Sequence, residues 1–244
     1  MQGASALCGQ GGVPMLQTQA LADNLYMLYD GMVRQFLLTA PDKALLLDTG
    51  FAGSQVLEAV RGLTDAPVQV LLTHGDPDHA GGLEEFAEAW LHEKDWHLVH
   101  GSTRLHPLRE GDTFTCGDYR LEVIEIPGHT YGSVAFADWD KGMLFAGDSV
   151  QKEGPIYLFG AHRNLGLYIQ SQEKLARMAH RFRTVYPCHH ACPVTPDYIA
   201  KNLEDARALR AGQLTGRPTP GMPCLTYQGQ WTAFFCTEED RQRP

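Results

Sequence analysis

The chain has 244 residues, of which 43% are hydrophobic and 20% are charged, and its formal net charge is -9 at pH 7. This length is enough for one large or two small domains with a proper core, and we expect one. The acidic balance argues against nucleic acid or an anionic membrane surface as a partner, because both call for a basic face. We therefore predict a small-molecule substrate, and a homodimer stays open.

The first fifteen residues have neither the basic region nor the long apolar region of a secretory signal. No later stretch approaches the ~18 uninterrupted apolar residues that a membrane span requires. We therefore expect a cytoplasmic protein without a membrane partner. The six cysteines are scattered through a chain too large to need disulfides, so we expect mostly free thiols.

The predicted elements begin after an N-terminal extension, residues 1–21, and end before a flexible tail, residues 237–244. Strands and helices alternate between these ends, which predicts one mixed α/β domain, residues 22–236, with two sheets covered by helices. In the first half of the chain the predictions are strands at 24–29, 35–39 and 43–48, a helix at 53–63, a strand at 70–72, a helix at 83–90 and a strand at 97–100. In the second half they are strands at 112–116, 119–127, 133–139 and 142–145, a helix at 172–182, a strand at 184–186, a helix at 198–211, and a strand or hairpin at 224–235.

A metal-competent motif, THGDPDHAGG, follows the strand at residues 70–72. It places His74, Asp76, Asp78 and His79 within six residues. Side chains at the carboxyl end of a buried strand would point into a loop-lined cleft, where open α/β sheets bind their ligands. The alternative interpretation is an ordinary polar turn in which Asp78 caps the next helix.

Four other strands also deliver a polar side chain at their carboxyl end. Asp48 follows LLL, His129 lies in PGHT, Asp148 ends AGD, and His189 lies in PCHH. A single histidine after Pro-Gly is more often a turn residue than a ligand, but the whole set favours one site. Asp48 is expected to orient a metal ligand from behind, and capping the turn ahead of the next helix is its alternative role.

These motifs, LLLDTG, THGDPDH, PGHT, AGD and PCHH, stand in the order found in the metallo-β-lactamase-fold superfamily, which the chain resembles from residue 22 to about residue 190. The superfamily includes glyoxalase II, lactonases and β-lactamases. The resemblance implies an αββα sandwich of two mixed β-sheets flanked by helices. It also implies a site for two divalent metal ions.

By position, the implied ligands are three for each ion and one that bridges them: His74, Asp76 and His129 for the first ion, Asp78, His79 and His189 for the second, and Asp148 as the bridge. Three protein ligands per ion leave a position open for water, as catalytic sites require. Two ions ~4 Å apart can also stabilise both the attacking and the leaving oxygen.

Position 76 departs from the family pattern, because the chain has HxDxDH in place of HxHxDH. An added carboxylate makes the site harder and favours iron or manganese over zinc. The flavodiiron branch of the superfamily is similar here, since it carries a glutamate at this position and holds two irons. Three roles stay open for Asp76: a ligand, a poor ligand that leaves a single ion bound, or a base.

The resemblance and the ligand set together predict a metal-dependent hydrolase that cleaves a small ester, thioester or lactone. The ions would lower the pKa of bound water to about 7 and polarise the scissile carbonyl. Asp78 or Asp148 would hold the remaining proton of the attacking water. A diiron redox protein and a non-catalytic metal- or ligand-binding sensor are the alternative functions.

Residues 151–170 would cross the cleft in this fold, and packing of this segment on the core is equally open. Its aromatic and cationic side chains are the predicted substrate contacts: Tyr157, His162, Arg163 and Tyr168. His190 is expected either beside the metal ligands or at the surface.

Overall fold

Apolar strands from the N-terminal half form a seven-stranded sheet in the computed structural model, which describes residues 16–243. The first four strands pair antiparallel and the last four pair parallel. In spatial order they are β1 (Gln17–Ala22), β2 (Leu25–Tyr29), β3 (Arg34–Thr39), β4 (Ala44–Leu47), β5 (Val68–Leu71), β6 (Glu88–Leu91) and β7 (Arg104–Pro107). Every residue of β3 and β4 is buried, as expected for strands covered on both faces.

The second sheet has five strands, with one parallel pair at its edge and antiparallel pairs elsewhere. A small third sheet lies beside it, and the sequence did not predict this sheet as a separate unit. The strands of the second half are β8 (Thr113–Cys116), β9 (Tyr119–Glu125), β10 (Val134–Asp138), β11 (Met143–Gly147), β12 (Pro155–Tyr157), β13 (Thr184–Pro187), β14 (Gly216–Pro218), β15 (Leu225–Gln228) and β16 (Ala233–Cys236). The second sheet runs β13-β11-β10-β9-β8 and the third runs β12-β16-β15-β14.

Helices cover the outer faces of the two large sheets. The five α-helices of the described residues are α1 (Val56–Arg61), α2 (Pro77–Ala80), α3 (Leu165–Met178), α4 (Asp197–Arg210) and α5 (Glu238–Gln242). Helix α1 packs on the first sheet, whereas α3 and α4 supply Leu175 and Ile199 to a cluster on the second sheet. Phe36, Phe145 and Tyr186 pack between the sheets, with ring centroids 5.1 to 5.7 Å apart. This layering confirms the predicted αββα sandwich.

Two predicted elements were wrong, the helix at 83–90 and the strand at 97–100. Residues 83–90 form a short 3-10 helix, Gly81–Glu85, and then β6, because the chain turns back to pair with β5. Residues 97–100 were predicted as a strand, but a 3-10 helix, Glu93–Leu98, reaches into this range. The assigned ends also differ: part of the extension forms β1, and part of the flexible tail forms α5. Residues 1–15 and 244 lie outside the described residues.

Within residues 16–243, no helix is both long enough and apolar enough to cross a bilayer. The cysteines of this part are free thiols, as expected: Cys116, Cys188, Cys192, Cys224 and Cys236. Cys8 lies outside it. The cytoplasmic location and the homodimer stay predictions.

Candidate metal centre

The predicted ligands converge at one end of the sandwich, where strand ends from both large sheets meet. Strands β4, β5, β11 and β13 each end beside a cleft of about 740 Å³. A volume of this size suits a small metabolite. The strand topology therefore brings together residues that are more than 100 positions apart in the sequence.

Four donors form what we call the open cluster, which consists of Asp78, His79, Asp148 and His189. His79 Nε2 lies 3.4 Å from His189 Nε2 and 3.3 Å from Asp148 Oδ1. His189 Nε2 lies 3.1 Å from Asp78 Oδ2 and 3.3 Å from Asp148 Oδ2. Ligand atoms around a tetrahedral Zn²⁺ are about 3.3–3.6 Å apart, so these separations fit a single ion.

A buried oxygen in the open cluster supports the same conclusion. Asp148 Oδ1 is buried and has no hydrogen-bond partner among the described residues. A buried acceptor without a partner costs stability unless it serves a ligand or an ion. The donor set of two imidazoles and two carboxylates suits zinc, iron or manganese.

Hydrogen bonds to the Nδ1 atoms orient both imidazoles of the open cluster. His79 Nδ1 donates to Asp48 Oδ2 at 2.9 Å, and His189 Nδ1 donates to the carbonyl of Met32 at 2.8 Å. Each Nε2 therefore keeps its lone pair for the cleft. Asp48 in turn accepts from the backbone N–H and the hydroxyl of Thr73, at 2.7 and 2.8 Å. This geometry matches the orienting role predicted for Asp48.

The other three predicted ligands form what we call the arginine-side triad, which consists of His74, Asp76 and His129. His129 Nε2 lies 3.2 Å from both His74 Nε2 and Asp76 Oδ2. Arg163 contacts two members of this triad directly. Its Nη2 donates to Asp76 Oδ2 at 2.6 Å, and its Nη1 lies 3.1 Å from His129 Nε2.

The pKa values of the open cluster reflect its dense charge. Burial alone would lower the pKa of His189, but the carboxylates of Asp148 and Asp78 outweigh it and raise the pKa to about 10. Burial would likewise raise the pKa of Asp148, but His189 and His79 hold it well below its usual range. Without an ion, the carboxylates thus hold protons on these imidazoles, and metal binding must release those protons.

The arginine-side triad shows the opposite behaviour. Burial and the Arg163 guanidinium lower the pKa of His129 to about 4, so this imidazole is neutral at pH 7. Burial would raise the pKa of Asp76, but the imidazoles of His129, His162 and His74 beside it outweigh burial and lower the pKa far below its usual range. A carboxylate with so low a pKa is a weak general base near neutral pH, which disfavours the base role for Asp76.

Three of the four predicted substrate contacts line the cleft: Tyr157, His162 and Arg163. His190 also lines it and is exposed, which fits its predicted place at the surface. The structure does not bring Tyr168 there. Helix α3 begins at Leu165, earlier than predicted, and turns the Tyr168 side chain into the core, where its hydroxyl donates to the carbonyl of Ser149 at 2.9 Å. Tyr168 as a substrate contact is therefore corrected.

A glycine explains why α3 can pass so close to the His129 turn. Gly128 has φ +144°, and a Cβ added there would lie 2.3 Å from the Tyr168 Cα. A larger residue at position 128 would push the turn and the helix apart. The PGHT motif thus places His129 against α3 as well as at a strand end.

Asp95 is a positioning residue that the sequence analysis missed. Its buried carboxylate accepts from the backbone N–H of Gly75 at 3.0 Å, from the Thr130 hydroxyl at 2.6 Å and from the Gly132 N–H at 2.8 Å. It thereby ties the loop of His74 and Asp76 to the turn of His129. The sequence carried one signal, an acidic residue within a segment that otherwise supplies Trp96 and Val99 to the core beside the first sheet.

The fold and this centre define a class of α/β proteins that gather histidines and aspartates at the strand ends of a two-sheet sandwich. The family model of the Metallo-beta-lactamase superfamily matches residues 28–189. The chain is 32% identical over 182 residues to a hydroxyacylglutathione hydrolase of Bdellovibrio bacteriovorus, covering 71% of this chain and 67% of that protein. It is 38% identical over 198 residues to a hydroxyacylglutathione hydrolase of Xylella fastidiosa, covering 75% of this chain and 72% of that protein.

Among solved structures, the metallo-beta-lactamase from Pontibacter korlensis superposes with a TM-score of 0.68 at 20% identity, covering 79% of this chain and 99% of that chain. The chain belongs to the metallo-beta-lactamase superfamily. This confirms the resemblance, the fold class and the coarser prediction of a metal-binding hydrolase. The roles of individual residues, the metal and the substrate stay predictions.

Proposed function

We propose that the protein is a metal-dependent hydrolase that cleaves a small ester, thioester or lactone. The observation that carries this proposal is the open cluster: Asp78, His79 and His189 offer ligand atoms within 4.8 Å of one another, and Asp148 lies 3.3 Å from both histidines. A divalent ion held there would lower the pKa of its water to about 7, which would supply a nucleophile near neutral pH, and would polarise the scissile carbonyl.

Two carboxylates of the open cluster differ in their surroundings, and this difference assigns their tasks. Asp148 is nearly enclosed, and its oxygens face His79, His129 and His189 at 3.3 to 3.5 Å. The side chain of Asp78 is 24% exposed. We therefore assign both carboxylates to metal binding, and Asp78, the more exposed of the two, also to holding the remaining proton of the attacking water.

The cleft walls support an acyl substrate with an apolar part. The lining includes the apolar side chains of Met32, Phe51 and Leu98 and the polar side chains of His162 and Arg163, of which Arg163 is paired with Asp76. This arrangement suits a carbonyl compound that also carries an anionic or strongly polar group. The names of the two relatives make hydroxyacylglutathione thioesters the first candidates, with simple esters and lactones beside them.

The test is a panel of thioesters, esters, lactones and phosphodiesters at neutral pH, measured with metal-loaded protein and with the His189→Ala variant. Loss of a ligand should lower hydrolysis by more than ~100-fold, since even the partners behind a ligand cost 10- to 100-fold. His180→Ala, an exposed histidine away from the cleft, is the matched control and should keep its rate. The proposal fails if metal-loaded protein hydrolyses no carbonyl substrate, or if His189→Ala hydrolyses it as fast.

A further inference from the structure

The guanidinium of Arg163 contacts the atoms that would bind a metal ion in the arginine-side triad. Nη2 donates to Asp76 Oδ2 at 2.6 Å, and Nη1 donates to the His129 carbonyl at 2.9 Å. Nη1 also lies 3.1 Å from His129 Nε2. From this geometry we propose that Arg163 is the resident cation of the arginine-side triad, and that the protein binds a single divalent ion, in the open cluster.

The contacts of Arg163 with the His129 ring support this assignment. Nη1 lies 3.1 Å from Nε2 and 3.4 Å from Nδ1 of the ring, so the guanidinium lies over the face of the imidazole. The Nδ1 of His129 donates to the carbonyl of Tyr157 at 3.0 Å, which leaves the lone pair on Nε2. A metal ion at this lone pair would lie close to a fixed cation, which repels it.

The charges of the site lead to the same conclusion. Arg163 already neutralises Asp76, at 2.6 Å, whereas Asp78, Asp148 and the buried Asp48 leave three negative charges at the open cluster. A divalent ion in the open cluster is attracted by these carboxylates, whereas an ion in the arginine-side triad would lie against the guanidinium. The open cluster has no counterpart of Arg163, because within residues 16–243 no Lys or Arg side chain forms an ion pair with Asp78 or Asp148.

The loop of Arg163 is held in place, so the side chain does not depend on a flexible surface segment. Arg163 itself is 8% exposed. The carbonyl of Arg163 and that of Gly160 both accept from Arg243 Nη1, at 3.0 and 2.9 Å. The Gly160 N–H donates to Asp240 Oδ2 at 3.0 Å. Moving this loop away from the triad would therefore break its hydrogen bonds to Asp240 and Arg243.

The test counts metal ions on the full chain, without any substrate. Metal-free protein is titrated with Zn²⁺ alone, and binding is followed by calorimetry and elemental analysis. We expect one equivalent for the wild type and two for Arg163→Ala, in which the arginine-side triad is released. Arg217→Ala removes an exposed arginine far from the cleft and should stay at one equivalent.

A second pair of variants locates the ion. Asp78→Asn should weaken the single ion by more than ~100-fold, whereas Asp76→Asn should change its affinity by less than ~10-fold. These two measurements also decide the matter if Arg163→Ala does not fold. Two equivalents on the wild type, one equivalent on folded Arg163→Ala, or a larger loss from Asp76→Asn than from Asp78→Asn would overturn the inference.

The inference concerns the same centre as the proposed hydrolase, but the metal count does not depend on turnover. A protein that binds one ion and hydrolyses no carbonyl substrate would refute the function and leave the inference standing. A protein that hydrolyses thioesters with two ions bound would do the reverse.

Discussion

The open cluster and the arginine-side triad are built from the same residue types but are neutralised in different ways. In the open cluster, carboxylates hold the pKa of His189 near 10, and positive charge can enter only as protons or as a metal ion. In the arginine-side triad, the covalently attached Arg163 supplies the positive charge and keeps His129 neutral. Two neighbouring sets of histidines and aspartates thus need not have the same affinity for metal.

The open cluster and the arginine-side triad also differ in the contacts of the buried carboxylate that supports each of them. Asp48 bonds an imidazole nitrogen of His79 directly, so it controls which nitrogen faces the cleft. Asp95 bonds backbone N–H groups and a hydroxyl, so it fixes loops and not the protonation of a ring. The supporting carboxylate therefore orients an imidazole in the open cluster, whereas beside the arginine-side triad it holds main-chain N–H groups and a hydroxyl in place.

The largest expected contrast is in the stability of the metal-free protein. Asp76→Asn should lower the free energy of unfolding by about 3 kcal/mol, because it leaves the buried Arg163 without its anion. Asp78→Asn should lower it by less than ~1 kcal/mol, because Asp78 is partly exposed and pairs only with histidines. Urea unfolding after chelator treatment measures both. Equal losses would show that the two halves do not differ in this way.

A smaller contrast separates the two supporting carboxylates. Asp48→Asn should weaken metal binding by about 10- to 100-fold, because an amide would favour the wrong ring nitrogen of His79. Asp95→Asn should lower the free energy of unfolding by about 1–3 kcal/mol, because one of its donors loses an acceptor, while metal affinity falls by less than ~10-fold. Zn²⁺ titration and urea unfolding of both variants check this, and a reversed pattern would contradict it.

The smallest expected effect concerns the loop that carries Arg163. Arg243→Ala removes two hydrogen bonds to the carbonyls of Gly160 and Arg163, which should raise amide exchange in residues 159–164 by about 5- to 10-fold, or ~1 kcal/mol. Arg241→Ala is the control, since Arg241 pairs with Glu238 within the same helix. Unchanged exchange in Arg243→Ala would mean that the loop is held by other contacts.

The sequence predicted the metal-competent residues well because strand ends can be recognised locally. Asp48, Asp148 and His189 each come at the end of a short apolar strand, His79 lies in the motif that follows another, and the carboxyl ends of neighbouring strands necessarily meet at one edge. The fold class followed from the same pattern. Candidate metal ligands are thus among the features that a single sequence can indicate, because their spacing along the chain is set by secondary structure.

Features decided by tertiary packing could not be predicted in this way. The pattern Leu83, Phe86 and Trp90 is typical of a helix, but the edge of β5 pairs with residues 89 and 90 and turns them into a strand. Gly81 and Gly82 pack against backbone atoms of residues 49–52, which leaves room for this turn. A four-residue strand has too little periodicity of its own to be detected.

The pairing of Arg163 with Asp76 is the clearest case of a contact that the sequence conceals. The two residues are 87 positions apart, and both were correctly placed at the cleft, but nothing in their local sequence indicates that they meet. Tyr168 failed for a related reason, because a shift of a few residues in the start of α3 moved its side chain from the cleft to the core. Side-chain direction depends on element boundaries, which are the least certain part of any sequence-based interpretation.

The anchoring of Arg163 by α5 also has a consequence for the order of events during synthesis. The ribosome releases a chain from its N-terminus at ~5–20 residues per second. Every member of the open cluster lies before residue 190, whereas Asp240 and Arg243, which hold the Arg163 loop, come some fifty residues later. The open cluster can therefore assemble on the nascent chain before the guanidinium is fixed beside it. Arg163 itself emerges before His189, so translation delays only the final anchoring of its loop, which waits for Asp240 and Arg243.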